Sequence, residues 1–125
     1  MEDFPSELRI KNRARIGLLF SEGTTGIAGA VLVRALPNPD GPTRIVAVAG
    51  KKIGGAVQRN RMRRRLRAAF RTGRERLPEG WDFALVARKG LLEAAWRDVI
   101  RDMEKAAGRA VADTRSGHPR NPSRP

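Results

Sequence analysis

Cysteine is absent from these 125 residues, so the chain has neither a disulfide nor a thiolate metal site, which suits a reducing cytosol. Histidine is nearly absent: His118 stands alone, in a stretch rich in Pro, Ser and Arg, with no ligand partner beside it. Acids are scarce, thirteen against twenty-six Lys and Arg. They are scattered, and no pair suggests general acid–base chemistry. With no Ser/His/Asp set and no Walker-type motif either, no catalytic residue is assigned. No apolar run approaches the roughly 18 residues of a membrane span. The start, Met1-Glu2-Asp3, does not resemble a secretory signal peptide.

What is present is basic charge. The net charge of +13 points to a polyanionic partner. Eleven Lys or Arg residues and a single acid, Glu75, fall within residues 51–76. A membrane-surface helix needs bulky apolar anchors opposite the charge. This segment offers only Met62, Leu66, Ala69 and Phe70, enough for one core-facing stripe.

The apolar pattern gives an element order for a single domain. Ile16, Leu19 and Phe20 mark a short helix within residues 10–20, ended by Gly23. Residues 24–27 read as a short edge strand and residues 30–36 as a second strand. Pro37-Asn38-Pro39-Asp40-Gly41-Pro42 then makes a turn. Residues 45–49 (IVAVA) read as a central strand. Gly54-Gly55 breaks the pattern before a helix over residues 56–72, with Gly73 as its left-handed cap. Residues 81–87 (WDFALVA) suit a strand covered on both faces.

A helix over residues 91–107 carries an apolar face of Leu92, Ala95, Trp96, Val99, Ile100 and Met103, with Glu93 and Arg97 paired opposite. Trp81 and Trp96 are assigned to the core. The predicted fold class is α+β, an α-β-β-β-α-β-α sandwich on a central mixed sheet. Residues 1–8 form a flexible lead-in, residues 9–107 the domain, and residues 108–125 a disordered basic tail.

On the basic helix, Arg59, Arg63 and Arg67 stack four residues apart, and Arg61, Arg64, Arg65 and Arg71 widen the face. Like charges at that spacing destabilise an isolated helix by about 0.2–0.5 kcal/mol per pair. A solvated face would intersperse Glu, and none occurs. Arg suits phosphate because its planar fork donates bidentately and stacks on bases. Lys51 and Lys52 read as phosphate contacts beside a glycine pair that permits close backbone approach, in preference to solubilising lysines at a strand end. Gly50-Lys51-Lys52-Ile53-Gly54 is one residue too long for the GXXG loop of KH domains. No sustained heptads follow the basic run, as a leucine zipper requires.

The stretch Lys51-Lys52-Ile53-Gly54-Gly55-Ala56-Val57-Gln58-Arg59-Asn60-Arg61-Met62-Arg63-Arg64-Arg65-Leu66-Arg67 resembles the signature of the bacterial ribonuclease P protein component. The family pattern is roughly K-K-[IV]-G-N-A-V-x-R-N-R-x-[KR]-R-x-[LI]-R, and the likeness extends over residues 9–107. It implies a cytoplasmic protein that joins a catalytic RNA to remove 5′ leaders from precursor tRNA, is monomeric without RNA, and has no membrane partner. In such a protein the RNA holds the active site and its Mg2+, and no organic cofactor is needed.

The resemblance assigns RNA binding to Lys51, Lys52, Arg59, Asn60, Arg61, Arg63, Arg64, Arg65 and Arg67, and links Asn60 to an RNA-associated Mg2+. It places a leader cleft between the first helix and the sheet, at Ile16, Phe20 and Arg34. It also implies a left-handed crossover in the strand–helix–strand unit, against a right-handed preference of about 98%.

Some positions depart from the pattern. Gly55 replaces a common Asn and Gly50 a common Ser. Ile16 and Arg34 stand where aromatics are frequent, leaving Phe20 alone. Stacking is worth roughly 1–3 kcal/mol per base, so leader affinity is expected to be weaker, with Arg34 compensating by stacking or by a phosphate contact. Three other readings stand on residues alone: a ribosomal or nucleoid-associated binding protein, a solvated basic face or nuclear-localisation patch, and a self-sufficient enzyme, disfavoured because no catalytic constellation exists.

Overall fold

The structure is a computed structural model that describes residues 6–115. His118 and the expected tail from residue 116 onward lie outside the described residues.

Helix α1 (Arg13–Glu22) starts at Asn12, whose side chain accepts a hydrogen bond from the Arg15 amide at 2.9 Å. It ends where the Gly23 amide donates to the Leu19 carbonyl at 3.1 Å. Four strands follow the expected order: β1 (Thr24–Ala28), β2 (Val31–Pro37), β3 (Arg44–Val48) and, after helix α2 (Ala56–Gly73), β4 (Trp81–Ala87). Helix α3 (Trp96–Arg115) closes the domain. The sheet order is β1-β2-β4-β3, with β3 and β4 parallel and the other pairs antiparallel.

The strand expected at the centre, β3, lies at an edge. Only its Ile45 is fully buried, whereas β4 is buried on both faces and takes the interior position. The outer side of β3 is met by the N-terminal segment. There Arg9 bridges in parallel to Ile45, and the Ile10 amide donates to the Ile45 carbonyl at 2.8 Å. The lead-in is correspondingly ordered from Ser6. Residues Ser6–Leu8 form a 3-10 turn, and Leu8 is buried because it closes the core beside β3.

Helices α2 and α3 cover one sheet face, over Val31, Val33, Ala35, Ile45, Phe83 and Leu85. The stripe Met62, Leu66, Ala69 and Phe70 fixes α2 there. Truncating Leu66 or Phe70, both fully buried, to Ala carries a cost of about 2–5 kcal/mol. The opposite face carries α1 on a smaller cluster of Ile10, Leu19 and Ala84.

Two helix ends differ from expectation. Gly73 is not a left-handed cap: its φ is −102° and the chain runs on into a 3-10 turn, Arg74–Arg76. Its lack of a side chain serves helix packing, because a Cβ there would sit 2.8 Å from Glu104 Oε2 and 3.1 Å from Met103 Cε.

Helix α3 begins at Trp96 rather than residue 91. The preceding residues form turns in which the Glu93 and Ala94 amides both donate to the Gly90 carbonyl, with Gly90 at φ +96°. The expected Glu93–Arg97 pair within one helix therefore does not exist. The helix also runs through Gly108 to Arg115, since Ala106, Ala107, Ala110 and Val111 continue its buried stripe over β1. A Cβ on Gly26 would overlap the Ala106 carbonyl oxygen, so α3 lies directly on that glycine. Trp96, expected in the core, is 40% exposed.

Candidate nucleic-acid interface

Helix α2 presents its charge as a shaped surface. Asn60, Arg61, Arg64 and Arg71 are exposed, while Arg59, Arg63 and Arg67 are half-buried along its flank. The helix contains no acid. The acids found in ion pairs sit elsewhere: Asp82 with Arg15 and Arg44, Glu104 with Arg76, and Asp98 and Asp102 with Arg101. Lys51 and Lys52 are exposed on the 3-10 turn Lys51–Ile53 that leads into α2 through Gly54 and Gly55. At the helix start, the Gly55 amide donates to Gln58 Oε1 at 3.2 Å.

Arg67 registers the field most directly. Burial pushes its guanidinium pKa down, and the charges of Arg9, Arg63 and Arg64 push it further in the same direction. Arg remains protonated at any physiological pH, so the strain persists until an anion arrives. Beside it a cleft of ≈ 210 Å³ opens between the N-terminal segment, the β3 edge and α2, rimmed by Arg9, Lys11 and Arg67 over Ile10, Ile45 and Ala47. Sequence reasoning missed Arg9 and Lys11. The available signal was the alternation Arg9-Ile10-Lys11, which is the pattern of a strand-like segment with one buried residue.

Arg65 turns away from this face. Its Nη1 donates to the carbonyls of Leu91 and Leu92 at 3.2 and 2.9 Å, and its Nη2 donates to that of Ala94 at 2.6 Å. Its guanidinium carbon also stands 5.6 Å from the centre of the Trp96 ring. Arg65 therefore ties α2 to the turn before α3, and the expected RNA-facing orientation is not the one found.

On the other sheet face, α1 leaves a row only partly covered. The register aligns Ile27, Leu32, Val86 and Val48 across all four strands. Ile27 is 39% exposed and the other three are half-buried. Phe20, in the last turn of α1, is 40% exposed, and half-buried Ile16 packs on the Leu19–Ala84 cluster. Arg34 donates to the carbonyls of Leu19 and Phe20 at 3.2 and 2.7 Å. It thus holds the C-terminal end of α1 instead of facing outward to stack or meet a phosphate.

Asp82, fully buried, anchors the other end. It accepts from Arg15 Nε at 2.8 Å, Arg44 Nε at 2.9 Å and Arg44 Nη2 at 2.6 Å. Arg15 also donates to the Pro37 carbonyl at 2.7 Å. The hydrogen bonds to Asp82 raise the Arg44 pKa despite the opposing effect of burial, with Asp82's charge adding to the rise. A carboxylate held this tightly by two guanidiniums is a structural tie rather than a base.

Among the described residues no three His, Cys, Asp or Glu side chains converge on a point where they could hold a metal ion. Asn60 is exposed and lies among arginines, surroundings that disfavour a cation unless phosphates intervene.

The Ribonuclease P family model matches residues 4–111. The ribonuclease P protein component of Symbiobacterium thermophilum is 33% identical over 110 residues, covering 87% of this chain and 96% of that one. That of a Roseiflexus species is 38% identical over 90 residues, 71% and 74% of the two chains. Among solved structures, the RNase P protein from Thermotoga maritima superposes with a TM-score of 0.68 at 27% identity, covering 76% of this chain and 90% of that one. The Staphylococcus aureus RNase P protein shares the fold, with a TM-score of 0.66 at 20% identity and coverage of 86% and 94%.

Proposed function

Because this chain belongs to the ribonuclease P protein family, and so is a subunit of the endoribonuclease that matures tRNA 5′ ends in partnership with an RNA, we propose how its two surfaces divide the work. The α2 face, together with Lys51, Lys52, Arg9 and Lys11, docks the catalytic RNA. The observation that carries this reading is Arg67: half-buried, surrounded by like charge, on a helix without one acid. Folding places those cations together at a cost, and phosphates from a folded RNA remove it by neutralisation and counterion release.

The second surface is the partly covered row Ile27–Leu32–Val86–Val48, together with the exposed ring of Phe20 on α1. On this reading it receives the single-stranded leader of precursor tRNA. Arg34 contributes by fixing Phe20, and Ile16 by filling the wall beneath. Mg2+ belongs to the RNA partner, whose phosphates supply its oxygen ligands. The protein's part is positional and electrostatic: it screens phosphate repulsion and holds the substrate. The subunit acts in the cytoplasm as a monomer until it meets RNA. Among the described residues no helix is long and apolar enough to cross a membrane.

The test is reconstitution with the catalytic RNA of the same source, following precursor-tRNA cleavage at low Mg2+. The protein is expected to lower the Mg2+ requirement of the RNA and to bind precursor more tightly than mature tRNA in the complex. Cleavage by the protein alone, after rigorous removal of RNA, or indifference to the leader, overturns the reading.

A further inference from the structure

A second depression, ≈ 420 Å³, lies on the opposite flank of α2 from the Arg9–Arg67 cleft. Its volume falls within the roughly 300–1,000 Å³ of ligand pockets. Ile53, Met62 and Leu92 supply an apolar lining, and Gln58, Lys89 and Glu93 supply the polar groups. Lys51 and Lys52 directly precede Ile53, so a phosphate chain running to α2 passes its mouth.

The informative residue is Glu93. It is exposed and takes part in no ion pair among the described residues, yet it stands beside the most basic helix of the chain. A carboxylate is acceptor-only and repels phosphate. Next to an RNA-docking face it weakens backbone binding unless it accepts hydrogen bonds from a base edge. Guanine fits this chemistry best, because its N1–H and N2–H2 donate side by side to the two oxygens of one carboxylate. Uracil presents a single N–H between two carbonyl oxygens, which the carboxylate repels. The lining suits the faces of a base, with the Met62 thioether well matched to an aromatic ring. Lys89 and the Gln58 amide are donors available to O6.

The wall bearing Glu93 is held in shape. Its amide and that of Ala94 donate to Gly90, and Arg65 grips the Leu91, Leu92 and Ala94 carbonyls from behind. Rigid walls of this kind lower the ordering cost of binding. Resting on the RNA-docking reading of α2, we propose that this pocket receives an unpaired guanine extruded from the RNA partner, read by Glu93. Arg65 is then a positioning residue that sets the pocket's far wall.

Glu93→Gln gives a test with opposite signs for the two explanations. The substitution adds one unit of net positive charge. If the face is purely electrostatic, it tightens binding to the catalytic RNA. If Glu93 reads guanine, affinity falls by about tenfold, within the discrimination expected of a bidentate base contact. The assay measures affinity of the full-length protein for the catalytic RNA, with kethoxal probing of guanine N1 and N2 in the same complexes. Support is weaker binding by the variant and one guanine that is protected by wild-type protein but reactive with Glu93→Gln. Unchanged or tighter binding overturns the pocket, as does a protection pattern identical in the two complexes. Arg63→Ala/Arg64→Ala, run alongside, separates the failures. If it weakens binding while Glu93→Gln does not, only the pocket is wrong; if neither does, the docking reading itself fails.

Discussion

Arg64 and Arg65 are neighbours in sequence and identical in chemistry, yet the structure gives them different tasks, and exchanging each for Met separates those tasks. Arg65 makes three hydrogen bonds to carbonyls, two of them shared by Nη1, and stands over Trp96. Bonds from charged donors are worth about 1.5–3 kcal/mol each when well shielded. At a half-buried site, where water can replace the lost donor, about 1 kcal/mol for each guanidinium nitrogen is the fitting estimate. The cation–π contact adds about 0.5 kcal/mol. Arg65→Met is therefore expected to cost about 2.5 kcal/mol, or about 10 °C in melting temperature for a domain of this size.

Arg64 is exposed, so Arg64→Met should stay within about 0.5 kcal/mol of wild type. Its effect belongs to RNA binding instead: the slope of log affinity against log salt should flatten by about 0.9, one phosphate's worth, and Arg65→Met should leave that slope unchanged. Thermal melts followed by circular dichroism and salt titrations of RNA binding read both quantities. The reasoning fails if Arg65→Met melts with wild type and flattens the salt slope, because Arg65 would then be a phosphate ligand.

Asp82→Asn should destabilise by about 3 kcal/mol, the lower end for breaking a buried pair because Arg15 and Arg44 keep some solvent, as measured by urea unfolding. Gly26→Ala should cost about 1–3 kcal/mol by forcing α3 off β1, with the largest loss of amide-exchange protection in residues 106–111. Phe20→Ala should weaken binding of precursor tRNA by roughly 1–3 kcal/mol while leaving mature tRNA unaffected in the same complex. Equal loss for both substrates would contradict a leader-specific role for that ring.

The basic helix was legible almost to the residue, because its core stripe and its arginines obey one helical period and the glycine pair marks its start. What sequence could not show was where long side chains turn. Arg65 is diverted by carbonyls some thirty positions onward, and Arg34 by the end of α1, encounters that only tertiary packing creates. The edge position of β3 depends on pairing, which an apolar run does not encode. Helix α3 looked finished at Gly108 because its continuation is buried through small alanines, a weak signal that becomes strong only against the bare backbone of Gly26. Asp82 drew no assignment from sequence, since its two arginine partners lie far apart in the chain.

The most direct test of RNA docking is the salt dependence of assembly with the catalytic RNA, comparing wild type with Arg63→Ala/Arg64→Ala/Arg67→Ala. If about six phosphates are neutralised, wild-type affinity should fall by about three decades between 50 and 200 mM salt. The triple variant should bind more weakly at low salt, with its slope flattened by about 2.7, or 0.9 for each arginine removed. A triple variant that assembles with wild-type affinity and slope would show that this face of α2 does not meet the RNA.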